Sequence, residues 1–289
     1  IVWIIAAVFP AYNINAQSEI LSINTEASCI TSSCHAAMGK KKYVHAVGVD
    51  GRQCIRCHEI LKQGEHSFKK IPPVTFPICS KCHSEEFSTP SDIKGSPPKV
   101  IYEDKEMKFH APFAEGKCTE CHDAHESDYY KHLKAEYTEE YYASYTDGTY
   151  SLCLKCHKAL EKALTEPRTL TDTRFRNGNL NLHFRHVNKP KGRTCKTCHH
   201  HHGSKTKNLL LIKDAFPFGK RSLLINYEKT ETGGSCAPAC HATVQYDRYE
   251  PVETNMKTTP REGVDATPEE LRLNRLEEEQ GTKKEGETK

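Results

Sequence analysis

The cysteines of this chain occur in pairs, and a histidine directly follows the second cysteine of every pair. The 289 residues contain 14 cysteines and 17 histidines, and the pairing leaves no cysteine over. Five pairs have the spacing C-x-x-C-H, namely Cys54/Cys57/His58, Cys79/Cys82/His83, Cys118/Cys121/His122, Cys153/Cys156/His157 and Cys195/Cys198/His199. Two pairs are longer by two residues and by one residue, namely Cys29/Cys34/His35 and Cys236/Cys240/His241.

A C-x-x-C-H motif is typical of covalent haem attachment. The two thiols form thioether bonds to the vinyl groups on one porphyrin edge, and the next residue then lies under the iron as its proximal ligand. Extra residues between two cysteines can bulge outwards without moving the anchor points, so the stretched pairs are interpreted in the same way. The sequence therefore predicts seven covalent haem c groups, each with its own proximal histidine.

Structural zinc and disulfide scaffolds are the alternatives for a cysteine-rich chain. Zinc ribbons use C-x-x-C knuckles to complete a tetrahedral site of four Cys or His ligands. Neither a zinc site nor a disulfide framework requires a histidine directly after every second cysteine. The regular position of the histidine therefore favours haem over both alternatives.

Ten histidines remain for the distal side of the irons, against only three methionines in the chain. Methionine ligation raises the haem potential and bis-histidine ligation keeps it lower, and this supply of histidines makes bis-histidine ligation feasible throughout. The expected distal ligands are His45, His66, His110, His125, His183, His186 and His202. The other three, His132, His200 and His201, are interpreted as packing or solvated residues.

The expected distal histidines recur around the motifs. His45, His110 and His186 precede the first cysteine of a motif by nine, eight and nine residues, whereas His125 and His202 follow a proximal histidine by three. Residues three apart on a helix share a face, so a histidine at plus three cannot reach the far side of its own haem. It is expected to ligate a neighbouring haem, which would hold the haems in close pairs.

The spacing divides the chain into repeated units. One leading haem at Cys29 is followed by three two-haem units, which begin at His45, His110 and His186. The heptahaem domain is expected over residues 18–249, and a charged C-terminal tail over residues 250–289. Within the tail, a capping box at Thr267 predicts the start of a short solvated helix.

The composition indicates that the cofactors form much of the core. Only 36% of the residues are hydrophobic, which is too little for an extensive protein-only core. The expected fold class is mostly α with extensive loops, in which short helices wrap stacked haems and there is little or no sheet. Helices are expected over 127–145 and 151–165. The formal charge of +3 omits the haem propionates, so it gives no support for nucleic-acid binding.

Residues 1–17 are interpreted as a signal-peptide remnant. The apolar run Ile1–Phe9 precedes a small-residue site that ends at Ala16-Gln17. Nine apolar residues are fewer than the roughly 20 that a membrane-spanning helix needs. An exported protein of the periplasm or the extracellular space is therefore expected. A membrane anchor is the alternative that the apolar run leaves open, although membrane association is not the expectation.

The motifs H-x-P…GKCTECHDAHES…LCLKCH and HVNKPKGRTCKTCHHHHGS…CHA resemble the doubled-CXXCH class of multihaem c-type cytochromes. The resemblance extends over about residues 29–245. It implies bis-histidine haem chains that transfer electrons in the periplasm or outside the cell, with distal ligands ahead of the motif and at plus three. The chain departs from this pattern in its two stretched motifs and at Leu61, which occupies the plus-three position of the first unit.

An electron carrier is the expected function, with other cytochromes or reductases as redox partners. The first alternative is a multihaem oxidoreductase of the nitrite, hydroxylamine or sulfur-oxyanion type, which needs one iron with an open position. Such an iron is typically marked by an altered proximal ligand or a shortage of distal histidines, and this sequence has neither feature. The second alternative is a filament-forming conducting cytochrome, whose self-association the sequence leaves open.

Overall fold

The computed structural model describes residues 29–50, 52–85, 98–101, 104–138, 140–206, 216–218, 221–223, 225–238, 241–253 and 265–286. The predicted signal-peptide remnant and Cys240 lie outside these ranges. Within the described ranges, no helix combines the length and the apolar character that crossing a membrane requires.

The described helices are short, apart from the last one. They are α1 (Phe76–His83), α2 (Ala111–Ala114), α3 (Ser151–Leu154), α4 (Leu160–Thr165), α5 (Leu182–Val187) and α6 (Pro268–Gly286). Single 3-10 turns start at the first cysteine of three motifs, at Cys54–Arg56, Cys118–Glu120 and Cys195–Thr197. This part of the expectation, short helices joined by long loops, agrees with the structure.

The expectation of little or no sheet is wrong. The described strands are β1 (Tyr43–Val44), β2 (Lys108–Phe109), β3 (Glu126–Ser127), β4 (Tyr142–Ala143), β5 (Arg176–Asn177), β6 (Leu180–Asn181), β7 (Gly192–Arg193), β8 (Gly203–Ser204), β9 (Phe216–Phe218), β10 (Arg221–Leu223), β11 (Tyr227–Lys229), β12 (Gly233–Cys236) and β13 (Val244–Asp247). The antiparallel pairs are β1–β3, β2–β8, β4–β7, β5–β6 and β9–β10, and β11–β12–β13 form a three-stranded sheet. The reason is that extended segments cross one another between motifs, and their backbone polar groups need partners.

Two of these strand pairs repeat the same arrangement. In β1–β3, Tyr43 lies opposite Ser127, and the next backbone contact is the His45 N–H, which donates to the His125 carbonyl at 2.8 Å. In β2–β8, Lys108 lies opposite Ser204, and the His110 N–H donates to the His202 carbonyl at 2.7 Å. Each pair thus joins the segment ahead of one motif to the segment behind a later motif.

The two helices expected in the middle of the chain differ from the structure. The described residues of 127–145 form no α-helix, because Lys131 and His132 have φ of 54° and 57°, in the left-handed region that an α-helix cannot include. Residues 151–165 form α3 and α4 rather than one helix, and His157 lies between them.

The C-terminal helix α6 begins as the capping box predicts, but it is docked rather than solvated. The Glu270 N–H donates to Thr267 Oγ1 at 3.3 Å, and the Thr267 N–H donates to Glu270 Oε2 at 2.7 Å. Leu271 and Asn274 are only 2% and 5% exposed. Arg176 is completely buried and donates to the Glu278 carboxylate at 3.1 Å, so α6 packs on the β5–β6 hairpin.

Candidate functional site

A single cavity of about 3890 Å³ runs through the described protein. Ordinary small-ligand sites measure about 300–1,000 Å³, so this space is suited to several large groups rather than one. Every described cysteine and histidine of the seven motifs lines it, as do all seven expected distal histidines. Two small protein cores, one around Tyr137 and Tyr150 and one around Leu180 and Tyr246, lie beside the cavity.

The motifs share a local backbone geometry that sets the histidine relative to its cysteines. In four of them the histidine N–H donates to the carbonyl of the first cysteine at 2.9–3.1 Å, namely His58 to Cys54, His122 to Cys118, His157 to Cys153 and His199 to Cys195. This bond closes one helical turn from the first cysteine to the histidine. None of the thirteen described cysteines forms a disulfide.

Five of the expected proximal histidines each lie beside a different expected distal histidine. The ring-centroid distances are 6.0 Å for His35–His66, 5.9 Å for His58–His125, 6.2 Å for His83–His45, 6.3 Å for His122–His202 and 5.9 Å for His157–His110. In three of these pairs the planes lie within 21° of parallel. Two imidazoles that share a metal at about 2 Å on each side, with ring centres roughly 1 Å further out, would have centroids about 6 Å apart.

The remaining two proximal histidines, His199 and His241, are in electrostatic contact with the expected distal histidines His183 and His186 respectively. Burial lowers the pKa of His183 to about 4, with His199 as the next cause. Burial also lowers the pKa of His186 to about 4, and His241 is among the charges that add to the effect. A lowered pKa keeps the imidazole neutral, which is the form that ligates a metal.

Backbone carbonyls orient several of the rings. The Nδ1 atoms of His83, His122 and His186 donate to the carbonyls of Pro98, Lys131 and Leu182 at 2.8, 2.8 and 2.6 Å. A carbonyl oxygen only accepts, so Nδ1 carries the proton and Nε2 keeps its lone pair for a metal. Such outer partners fix both the tautomer and the direction of a ligating ring.

The residue directly after the proximal histidine holds the plus-three histidine in place. The N–H groups of His125 and Glu126 donate to Asp123 Oδ1 at 2.9 and 3.3 Å. The N–H groups of His202 and Gly203 donate to His200 Nδ1 at 3.3 and 3.2 Å. His200 therefore takes the place of Asp123 as a turn-closing acceptor, a role beyond the packing or solvated one that the sequence predicted.

The other two unassigned histidines have partners of different kinds. The His201 Nε2 lies 3.0 Å from the Tyr137 hydroxyl, and its pKa is lowered to about 3 mainly by burial. The His132 ring lies 5.8 Å from the His45 ring, which is as close as the rings in the pairs above. Ring distance alone does not distinguish His83 from His132 as the partner of His45. His83 is preferred because it directly follows a cysteine pair, whereas His132 does not.

Four buried polar atoms of residues that line the cavity have no hydrogen-bond partner. They are His132 Nδ1, the Tyr150 hydroxyl, one terminal nitrogen of Arg193 and Arg248 Nε. Buried donors are nearly always paired in folded proteins, so these atoms indicate a missing group with acceptor oxygens. Porphyrins, which combine apolar bulk with carboxylates, fit both this feature and the paired histidines.

The thiols of consecutive motifs interact with each other in sequence order. Cys54 and Cys79 form side-chain hydrogen bonds with Cys29 and Cys118 respectively. Electrostatic contacts join the remaining neighbours, namely Cys57 with Cys82, Cys121 with Cys156, Cys153 with Cys195 and Cys198 with Cys236. Each motif therefore adjoins the one before it and the one after it.

Residues 110–162 match the family model for the doubled CXXCH motif. The matched stretch contains the motifs at Cys118 and Cys153 together with His110 and His125. No curated protein and no solved structure matches the chain. The doubled motif indicates a multihaem c-type cytochrome that binds haem covalently and takes part in electron transfer.

Proposed function

We propose that this chain is an electron carrier with seven haem c groups, each ligated by two histidines, and that it works outside the cytoplasm. The observation that carries the proposal is that five motif histidines each lie beside a different expected distal histidine along one cavity. The remaining two, His199 and His241, are in electrostatic contact with His183 and His186. Each bound haem would supply a one-electron iron couple, whose potential bis-histidine ligation keeps low.

The proposed axial pairs are His35/His66, His58/His125, His83/His45, His122/His202, His157/His110, His199/His183 and His241/His186. The histidine ahead of a unit serves the second motif of that unit, as with His45 and His83. The histidine behind a motif serves an earlier unit, as with His125 and His58. The ligands thus connect consecutive units. The β1–β3 and β2–β8 strand pairs join the same chain segments through backbone hydrogen bonds.

Two histidines on each iron would leave no position for a substrate. This favours a carrier over a multihaem nitrite, hydroxylamine or sulfur-oxyanion oxidoreductase, which needs one open iron. The contacts between consecutive cysteine pairs further support one unbranched chain of attachment sites in sequence order, with Cys29/Cys34 at one end and Cys236/Cys240 at the other. Electrons would then enter and leave at the two terminal sites.

Export and redox partners complete the proposal. The apolar run ahead of Ala16-Gln17 supports export. Other cytochromes or reductases are the proposed partners. Nucleic acid is not among them, because fourteen propionates against seven ferric core charges would make the loaded chain anionic despite its formal +3.

The deciding test is electron paramagnetic resonance on the purified holoprotein, combined with a carbon monoxide difference spectrum. We expect only low-spin ferric signals and no carbon monoxide binding, because every iron has two strong ligands. A high-spin fraction near one haem in seven, with matching carbon monoxide binding, would instead favour the oxidoreductase.

A further inference from the structure

Arg193 is a cation in the cavity wall whose hydrogen-bonding capacity is incompletely used. It belongs to β7, and its guanidinium lies 4.8 Å from the ring centroid of Tyr141 and 4.3 Å from that of Tyr142. One of its terminal nitrogens is buried without a hydrogen-bond partner. A guanidinium has five N–H donors in a rigid plane, so contact with two adjacent rings restricts its direction while leaving a donor unpaired.

A second cation lies near Arg193. Lys189 also lines the cavity, and its pKa is lowered by partial burial and then by repulsion from Arg193 and Arg185. Among the described residues, no carboxylate forms an ion pair with Lys189 or Arg193. Lys189 is exposed, but Arg193 is partly buried, and a partly buried charge without an anion is costly. The cavity wall at Arg193 is therefore suited to a negatively charged group.

We propose that Arg193, assisted by Lys189, binds a propionate carboxylate of the haem attached at Cys236. The planar fork of arginine suits a carboxylate, with which it forms two parallel charge-assisted hydrogen bonds. The site lies beside the His186/His241 pair, since β7 packs against α5, the helix that carries His186, and the Gly192 N–H donates to the Lys189 carbonyl at 3.0 Å. This inference rests on the proposed function, because it requires a haem at the seventh motif.

The neighbouring haem at Cys195 is the less suitable source of the carboxylate. Cys195 follows Arg193 by two residues and would hold the vinyl edge of its own porphyrin. The propionates of a haem lie on the edge opposite its vinyl groups. Arg193 is therefore near the wrong edge of that haem, and the adjacent one must present its carboxylate.

The test compares the holoprotein with its Arg193→Met and Arg193→Lys variants in a redox titration at several pH values. Methionine keeps apolar packing against the tyrosines but removes the charge. We expect one of the seven redox steps to shift to lower potential and to become pH-dependent, because the unpaired propionate loses its cation and its pKa rises. Arg193→Lys keeps the charge without the fork and should give a smaller shift, and the propionate bending modes in the resonance Raman spectrum should change in both variants.

Lys191→Met is the matched control, because Lys191 is exposed and does not line the cavity. An unchanged titration in both Arg193 variants, or an equal shift in Lys191→Met, would overturn the proposal. A phosphate-dependent shift in the unmodified protein that Arg193→Met abolishes would identify a free oxyanion as the ligand instead. The intact mass of the unmodified protein shows separately whether the proposed function fails, because a missing haem would lower that mass. A full set of seven haems with unchanged titrations would overturn only the assignment of Arg193.

Discussion

The imidazole rings of His58 and His125 lie 5.9 Å apart and within 2° of parallel, although 67 residues separate them in the chain. His125 follows the motif of Cys118 and Cys121, yet its partner belongs to the motif of Cys54 and Cys57. The Asp123 turn holds His125, and the His45 N–H donates to the His125 carbonyl. A ligand for one haem would thus be supplied by the segment that follows another.

Replacing His125 with alanine should open the iron at Cys54/Cys57, not the iron at Cys118/Cys121. We expect a high-spin signal of about one haem in seven, and a raised potential on that haem, because one of two strong ligands is lost. Electron paramagnetic resonance and carbon monoxide binding measure the effect. His201→Ala is the control, since His201 bonds Tyr137 and lies in no proposed pair.

The identity of the opened haem can be established by deletion. Adding Cys54→Ala and Cys57→Ala to His125→Ala should remove the high-spin signal along with its haem. Adding Cys118→Ala and Cys121→Ala instead should leave the signal in place. The reverse pattern would show that His125 ligates the haem of its own motif.

The stretched motifs should both carry haem. The Cys29 and Cys236 thiols contact Cys54 and Cys198, as the other motifs contact their neighbours. A pyridine haemochrome assay and intact mass should give seven haems per chain, and Cys29→Ala/Cys34→Ala or Cys236→Ala/Cys240→Ala should each remove one. A count of five in the unmodified protein would leave a multihaem cytochrome with two empty motifs.

The order of the attachment sites predicts different effects for a central and a terminal deletion. Cys118→Ala/Cys121→Ala removes the fourth site and divides the chain, because Cys118 contacts Cys79 on one side and Cys121 contacts Cys156 on the other. Pulse radiolysis of the partly reduced protein should then show an additional slow phase of internal electron equilibration. The terminal deletion Cys29→Ala/Cys34→Ala should not show it, and equal kinetics in both variants would contradict a single sequence-ordered chain.

Asp123 and His200 should be exchangeable as turn-closing acceptors. Each accepts from two successive N–H groups, at plus two and plus three, of the turn that carries a plus-three histidine. His200→Ala leaves those donors without this partner, so His202 should dissociate more readily and slow carbon monoxide binding should appear. His200→Asp should restore the behaviour of the unmodified protein. If alanine and aspartate behave alike, the acceptor has no role in positioning His202.

The recurring spacing in the sequence selected His45, His110, His125 and His202, whose rings the structure places beside motif histidines. The strand pairs could not be selected in this way, since a two-residue strand such as β1 carries no alternating pattern. The helix expected over 127–145 does not form, because the left-handed Lys131 and His132 interrupt it. The unpaired donor of Arg193 depends on its packing against Tyr141 and Tyr142, which are distant in the sequence. No local sequence pattern therefore predicts it.

Arg176 should anchor the C-terminal helix α6 to the β5–β6 hairpin. Its buried guanidinium donates to the Gly178 and Arg248 carbonyls at 2.6 and 2.8 Å and to the Glu278 carboxylate at 3.1 Å. Arg176→Met removes these three hydrogen bonds and should lower the free energy of local unfolding of α6 by about 3 kcal/mol, which hydrogen exchange measures. Arg275→Met, which removes an exposed ion pair with Glu279, should leave that free energy nearly unchanged. Equal protection of α6 in the two variants would show that the helix is held by Leu271 and its apolar contacts instead.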